Sequence, residues 1–204
     1  MSLFITGQLQ NYNMKIGLYF GSFNPVHNGH MMIANYLAEY SDLDQIWMVV
    51  SPQNPLKPAN GLLQDYHRFH LVELAIGDYK RIKASKIEFD LPKPSYTIHT
   101  LAYLKEKFQD YSFSLIMGAD NLQTFHKWKN YELILEEHDL YVYPRRESDG
   151  GDLKHHARVK WVDAPIMEVS STKIRKAIKD KKDVRFFLPA AVASYVEEMS
   201  FYKK

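Results

Sequence analysis

Short apolar runs alternate along the chain with stripes at helical spacing. The runs predict strands at Lys15–Phe20, Gln45–Val50, within Arg81–Phe89, at Ser112–Gly118, His138–Tyr143 and Arg158–Val162. Gln45–Val50 is apolar almost throughout, which suits a strand covered on both faces. Between the runs, Met32, Ile33, Tyr36, Leu37 and Tyr40 recur on one helical face, in a helix that starts near Asn28. Gln64–Gly77 reads as a helix with Leu71, Leu74 and Ala75 inward and Gly77 as its stop. Ser95–Phe108 is expected as a helix capped by Ser95, with Leu101, Leu104 and Phe108 buried. Pro189–Met199 carries Val192, Tyr195, Val196 and Met199 on one stripe and should simply pack.

The most informative turn follows the first strand. Lys15–His30 reads KIGLYFGSFNPVHNGH: a strand, a turn holding Gly21, Ser22, Asn24 and Pro25, and a helix start flanked by His27 and His30. Free N–H groups and the positive helix end favour a phosphate there. Gly29 leaves room for it to approach the backbone. Two further turns have the same logic: Pro94–Thr97, and Ser170-Ser171-Thr172-Lys173-Ile174-Arg175. Each can also be a plainly capped helix. Gly118 and Asp120 close another strand, where Gly permits close approach and Asp can accept a ribose hydroxyl.

Composition narrows the picture. A chain of 204 residues with 46% hydrophobic content suits one domain with its own core. A net charge of +2 gives no argument for nucleic acid, and the absence of cysteine excludes disulfides and zinc–thiolate sites. Apolar runs of about five residues do not span a membrane, and no leader is evident, so a cytoplasmic protein is expected. Residues 1–13 are read as an arm of unknown role before a domain spanning 14–204, with 170–204 a C-terminal helical subregion. His67 and His70 lie one turn apart, but no third metal ligand is in view.

Gly21-Ser-Phe-Asn-Pro-Val-His-Asn-Gly-His30 resembles the His-x-Gly-His element of the nucleotidyltransferase superfamily, with Ser22 and Asn24 where Thr and Asp are usual. Val169–Arg175 resembles the superfamily's Ile-Ser-Ser-Thr-x-x-Arg. Pro94-Ser-Tyr-Thr97 and Phe125-His-Lys-Trp128 resemble the nicotinate-mononucleotide adenylyltransferase branch. The resemblance runs from about Lys15 to the C-terminus. It implies an α/β fold: a Rossmann-like doubly wound parallel sheet with flanking helices and a small C-terminal helical part. It implies AMP transfer from ATP to nicotinate mononucleotide, with His27, His30 and Arg175 catalytic. It places Gly21, Ser22, Phe23, Gly29, Lys57, Gly118, Asp120, Arg145, Ser171 and Thr172 around ATP. It places Tyr96, Thr97, Trp128 and Lys129 around the mononucleotide. Lys129 departs from the branch, which usually has Tyr there, and a lysine would favour an acidic ring substituent. Mg²⁺ is expected with ATP, held mostly by phosphate and water. No nucleic acid or membrane partner is expected, and a homo-oligomer is left open.

Alternatives of other kinds remain. The acceptor can be the nicotinamide mononucleotide, since one ring charge separates the two. A phosphopantetheine acceptor suits neither the length nor the Tyr96/Trp128 pair. A non-catalytic nucleotide-binding protein would keep the turns without turnover. A class I aminoacyl-tRNA synthetase fragment lacks room for an anticodon-binding part. A dehydrogenase lacks Gly-x-Gly-x-x-Gly after a strand.

Overall fold

The computed structural model describes residues 13–53 and 61–203. The expected lysine contact at Lys57 and nearly all of the N-terminal arm lie outside the described residues. Six strands form one sheet: β1 (Met14–Gly21), β2 (Gln45–Val50), β3 (Ile82–Ser85), β4 (Tyr111–Gly118), β5 (Leu140–Tyr143) and β6 (Val159–Trp161). Their order is β3-β2-β1-β4-β5-β6, and every pairing is parallel. Strand order therefore reverses between β1 and β4, the place where a doubly wound sheet opens a crevice at its carboxyl edge.

The helices are α1 (Asn28–Tyr40), α2 (Asp65–Ile76), α3 (Thr97–Lys107), α4 (Ala119–Gln123), α5 (Tyr131–Glu137), α6 (Ser171–Lys179) and α7 (Ala190–Glu198). They cover the sheet from two sides. One apolar cluster joins Ile33 and Leu37 of α1, Leu71 of α2 and Val192 of α7 to Ile46, Met48 and Val50. The other joins Leu101 and Leu104 of α3 and Ile134 of α5 to Ile16, Leu18 and Leu115. Alternate residues of β1 and β2 thus feed opposite faces, as the strand period requires. No helix among the described residues is long and apolar enough to cross a membrane.

Some expectations shift. Ser95 does not cap α3; Tyr96 holds that position, and no side chain caps it. Ser95 is buried, and its hydroxyl helps to lower the pKa of the buried Glu88, alongside those of Thr100 and Ser51. Burial, the larger effect, pushes that carboxyl up. Met199 is exposed beyond α7 rather than packed, while Val192 and Val196 are buried. The polar Glu147–His156 stretch forms a 3₁₀ turn at Gly151–His155, whose Lys154 carbonyl accepts a hydrogen bond from Trp161 Nε1.

Candidate active site

The turn after β1 is fixed by its own side chains. Phe23 adopts a left-handed φ of 43° and buries its ring. A Cβ on Gly21 would come within 2.7 Å of that ring, so Gly is required there. Phe23 can therefore face a ligand only through its backbone. Asn24 is buried, and its amide is used at both ends. Nδ2 donates to the Gly61 carbonyl at 2.9 Å, while Oδ1 accepts from Leu63 N at 3.2 Å and Tyr202 Oη at 2.8 Å. A carboxylate could not make the first bond, which accounts for Asn at this place.

His27 and His30 come next. Their rings stack with centroids 3.6 Å apart, and His30 Nδ1 accepts the His27 N–H at 3.2 Å. His27 is buried, and its Nδ1 has no partner among the described residues. Burial, then the nearby Arg145, lowers its pKa to about 4, so the imidazole is neutral at physiological pH. A Cβ on Gly29 would sit 3.1 Å from His27 Nδ1, so Gly29 keeps the ring in place. At the start of α1 the N–H groups of Asn28 and Gly29 have no acceptor among the described residues.

The start of α6 is stitched to the same turn. Arg175 Nη1 donates to the Asn24 carbonyl at 2.7 Å, and Ser171 Oγ donates to the Pro25 carbonyl at 2.9 Å. Arg175 Nη2 donates to Thr172 Oγ1 at 3.3 Å. The Ser171 hydroxyl is thus turned to the fold. The N–H groups of Ser171 and Thr172 remain without acceptors among the described residues. Ser170 caps α6 by accepting from Lys173 N.

Gly118, Asp120 and Arg145 meet at the ends of β4 and β5. Arg145 Nε lies 3.6 Å from Asp120 Oδ1, and Arg145 Nη2 donates to Tyr143 Oη at 3.3 Å. A Cβ on Gly118 would collide with Asp120 and approach Arg145 Nε to 3.0 Å. Tyr96, Thr97, Trp128 and Lys129 gather at the start of α3. Lys129 Nζ stands 4.8 Å over the Tyr96 ring. Trp128 is half-buried against Phe125, with ring centroids 5.0 Å apart, and its Nε1 has no partner among the described residues. The N–H groups of Thr97, Ile98 and Lys129 also lack acceptors among the described residues. His67 and His70 pack against Tyr195 of α7.

One organising residue escapes a reading of the sequence. Arg68 is fully buried, and all five of its N–H donors are engaged. Nε reaches Leu63 O, Nη1 reaches Ser22 O and Ser51 O, and Nη2 reaches Pro52 O and Asp65 Oδ1, at 2.6–3.3 Å. It ties the turn after β1 to the segment after β2. That segment meets the turn before α3, because Ser95 N donates to Gln53 O. Its signal was a lone arginine on the inward stripe with Leu71 and Val72.

The cytidylyltransferase-like family model matches residues 18–177. A probable nicotinate-nucleotide adenylyltransferase of Flavobacterium psychrophilum is 57% identical over 193 residues, spanning 94% of this chain and all of the relative. One of Flavobacterium johnsoniae, of the same name, has the same identity and coverage. Among solved structures, a Plasmodium falciparum nicotinic acid mononucleotide adenylyltransferase complexed with NaAD superposes with a TM-score of 0.80. It is 20% identical, covering 93% of this chain and 98% of that one, and supports the fold alone. With the family model spanning most of the chain and relatives matching nearly end to end, the chain belongs to the cytidylyltransferase-like family, among its nicotinate-nucleotide adenylyltransferases.

Proposed function

We propose that the protein moves the AMP group of ATP onto nicotinate mononucleotide, forming the dinucleotide with a nicotinate ring and releasing pyrophosphate. The observation that carries this reading is the Arg175–Asn24 bond, which holds the α6 start against the turn bearing His27 and His30. Two sets of unpaired N–H groups, at α1 and α6, then serve one run of phosphates. The start of α3, with Trp128 beside it, supplies a separate place for the ring of the acceptor.

A phosphate oxygen of the mononucleotide attacks the α-phosphorus of ATP. The bond from that phosphorus to the bridging oxygen breaks, and pyrophosphate leaves with the electron pair. No protein nucleophile is required, so alignment and charge stabilisation do most of the work. His27, neutral, meets a phosphate through its unpartnered Nδ1 or the opposite ring nitrogen. His30 stabilises charge on the α-phosphate in the transition state. Arg175 and the N–H groups of Ser171 and Thr172 hold the β- and γ-phosphates. Asp120 takes a ribose hydroxyl, and Arg145 borders the nucleotide. Trp128 stacks on the pyridine ring.

Mg²⁺ fits as a companion of the triphosphate rather than of a protein cage, because no cluster of three His, Asp or Glu side chains able to hold it stands among the described residues. When bound, it neutralises charge on the phosphates.

The test is pyrophosphate release from ATP with each pyridine mononucleotide in turn. Turnover with nicotinate mononucleotide is expected; none with either nucleotide would overturn the reading. His30→Ala is expected to lower kcat about a hundredfold or more, the usual scale for one transition-state donor. A near-normal rate would remove His30 from the mechanism.

A further inference from the structure

Lys129 is exposed, yet its ammonium leans on two neighbouring rings. Its Nζ sits 3.2 Å from His99 Nε2 and 4.8 Å over the Tyr96 ring, while the Tyr96 and His99 rings meet edge to face at 5.6 Å. His99 and Tyr96 both belong to the start of α3, whereas Lys129 follows Trp128 in the link to α5. The ammonium is therefore drawn across a gap in sequence to a helix N-terminus, although that end of the helix repels cations. The partners it finds are an imidazole nitrogen and an aromatic face, and neither is a carboxylate. Around it the N–H groups of Thr97, Ile98 and Lys129 have no acceptors among the described residues. Positive groups are thus gathered on one spot by a side chain whose rotamer freedom is given up to stay there.

We infer that Lys129, held in place by His99 and Tyr96, sets specificity for an acceptor whose pyridine ring carries a negative charge. This rests on the proposed assignment of Tyr96, Thr97 and Trp128 to the acceptor site. The ammonium pairs with the ring carboxylate, while backbone N–H groups bond its oxygens. A carboxamide can use an N–H donor through its carbonyl, but it gains nothing from the charge and brings an NH₂ group toward it. His99 acts as a positioning residue: by accepting a hydrogen bond from the ammonium at Nε2 it keeps the flexible lysine stem over the ring.

The experiment compares kcat/KM for nicotinate and nicotinamide mononucleotides in the wild type, Lys129→Met, Lys129→Arg and His99→Ala. Lys129→Met is expected to reduce the acid-to-amide ratio about fivefold, mainly through KM for the acid. Lys129→Arg keeps the charge and should retain most of the preference. His99→Ala should lower the ratio by a smaller factor, again through KM. Raising ionic strength should shrink the wild-type ratio, and the Met variant should be less sensitive. Calorimetric titration of both mononucleotides without ATP gives the same comparison where turnover of the amide is slow. A ratio unchanged in Lys129→Met would overturn the inference. A wild type that releases pyrophosphate with neither nucleotide would instead defeat the underlying assignment, so the two failures are distinguishable.

Discussion

At the proposed phosphate end of the site, side chains are fastened to the fold. Arg68 and Arg175 both donate to backbone carbonyls of the Ser22–Asn24 turn, Asn24 uses its amide at both ends, and His27 is buried under a stacked His30. At the proposed acceptor end, Trp128 is half-buried, its indole N–H has no partner among the described residues, and Lys129 is exposed and leans on His99. The difference follows from what each end must do. Triphosphate charge is common to all substrates of this chemistry and rewards rigid, preorganised donors. The acceptor ring is a matter of discrimination, which a few adjustable contacts decide. Damage at the first end should therefore appear in stability and kcat, and damage at the second in KM with the fold intact.

The strongest challenge to that contrast is Arg68→Met. It strands the carbonyls of Ser22, Ser51, Pro52 and Leu63 together with Asp65, and breaking such a buried cation network costs about 4 kcal/mol. Thermal unfolding should show a fall in Tm on the order of 10 °C. A shift within about 2 °C would show that the phosphate turn does not depend on this guanidinium.

The second tests the buried histidine. The folded-state pKa of His27, about 4, lies below the unfolded value near 6.5. The unfolded chain thus takes up the proton first, and stability falls as pH drops from about 6.5 to about 4, then levels off. The loss is about 3 kcal/mol, read from denaturant unfolding at several pH values. Subtracting the same curve for His27→Gln isolates it; superimposable curves would mean that the ring is not held neutral.

The smallest effect belongs to the acceptor end. Trp128→Phe keeps an aromatic contact with Phe125 and shortens the plane offered to the ring. Loss of about 0.5–1 kcal/mol of stacking should raise KM for nicotinate mononucleotide about threefold, with Tm nearly unchanged. A drop in Tm matching that of Arg68→Met would erase the proposed contrast.

Much of the architecture was legible locally. Six apolar runs became six strands within a few residues, and the starts of α1 and α6 fall where capping and turn residues put them. The His27/His30 spacing, Gly29 and the Ser170 cap are likewise local, since they depend on neighbours within one helical turn. The misreadings share a cause. Ser95 has the chemistry of a cap, but the chain folds back so that it lies beside the buried Glu88, seven residues before it. Arg68 resembles an ordinary helix arginine until Ser22 and Ser51 are brought around it. His99 was overlooked because its partner is 30 positions away.

Hydrophobic period, glycine placement and helix-end chemistry act over a few residues, so the sequence by itself determined the six strands and five of the seven helices, while the short α4 and α5 went unread. The carbonyl that accepts from Arg175, the phenol of Tyr202 that reaches Asn24 across 178 positions, and the ring over which Lys129 settles were decided only by the tertiary structure. A hydrogen bond depends on distance and direction in space, and for groups so far apart along the chain the packing of the sheet alone supplies both.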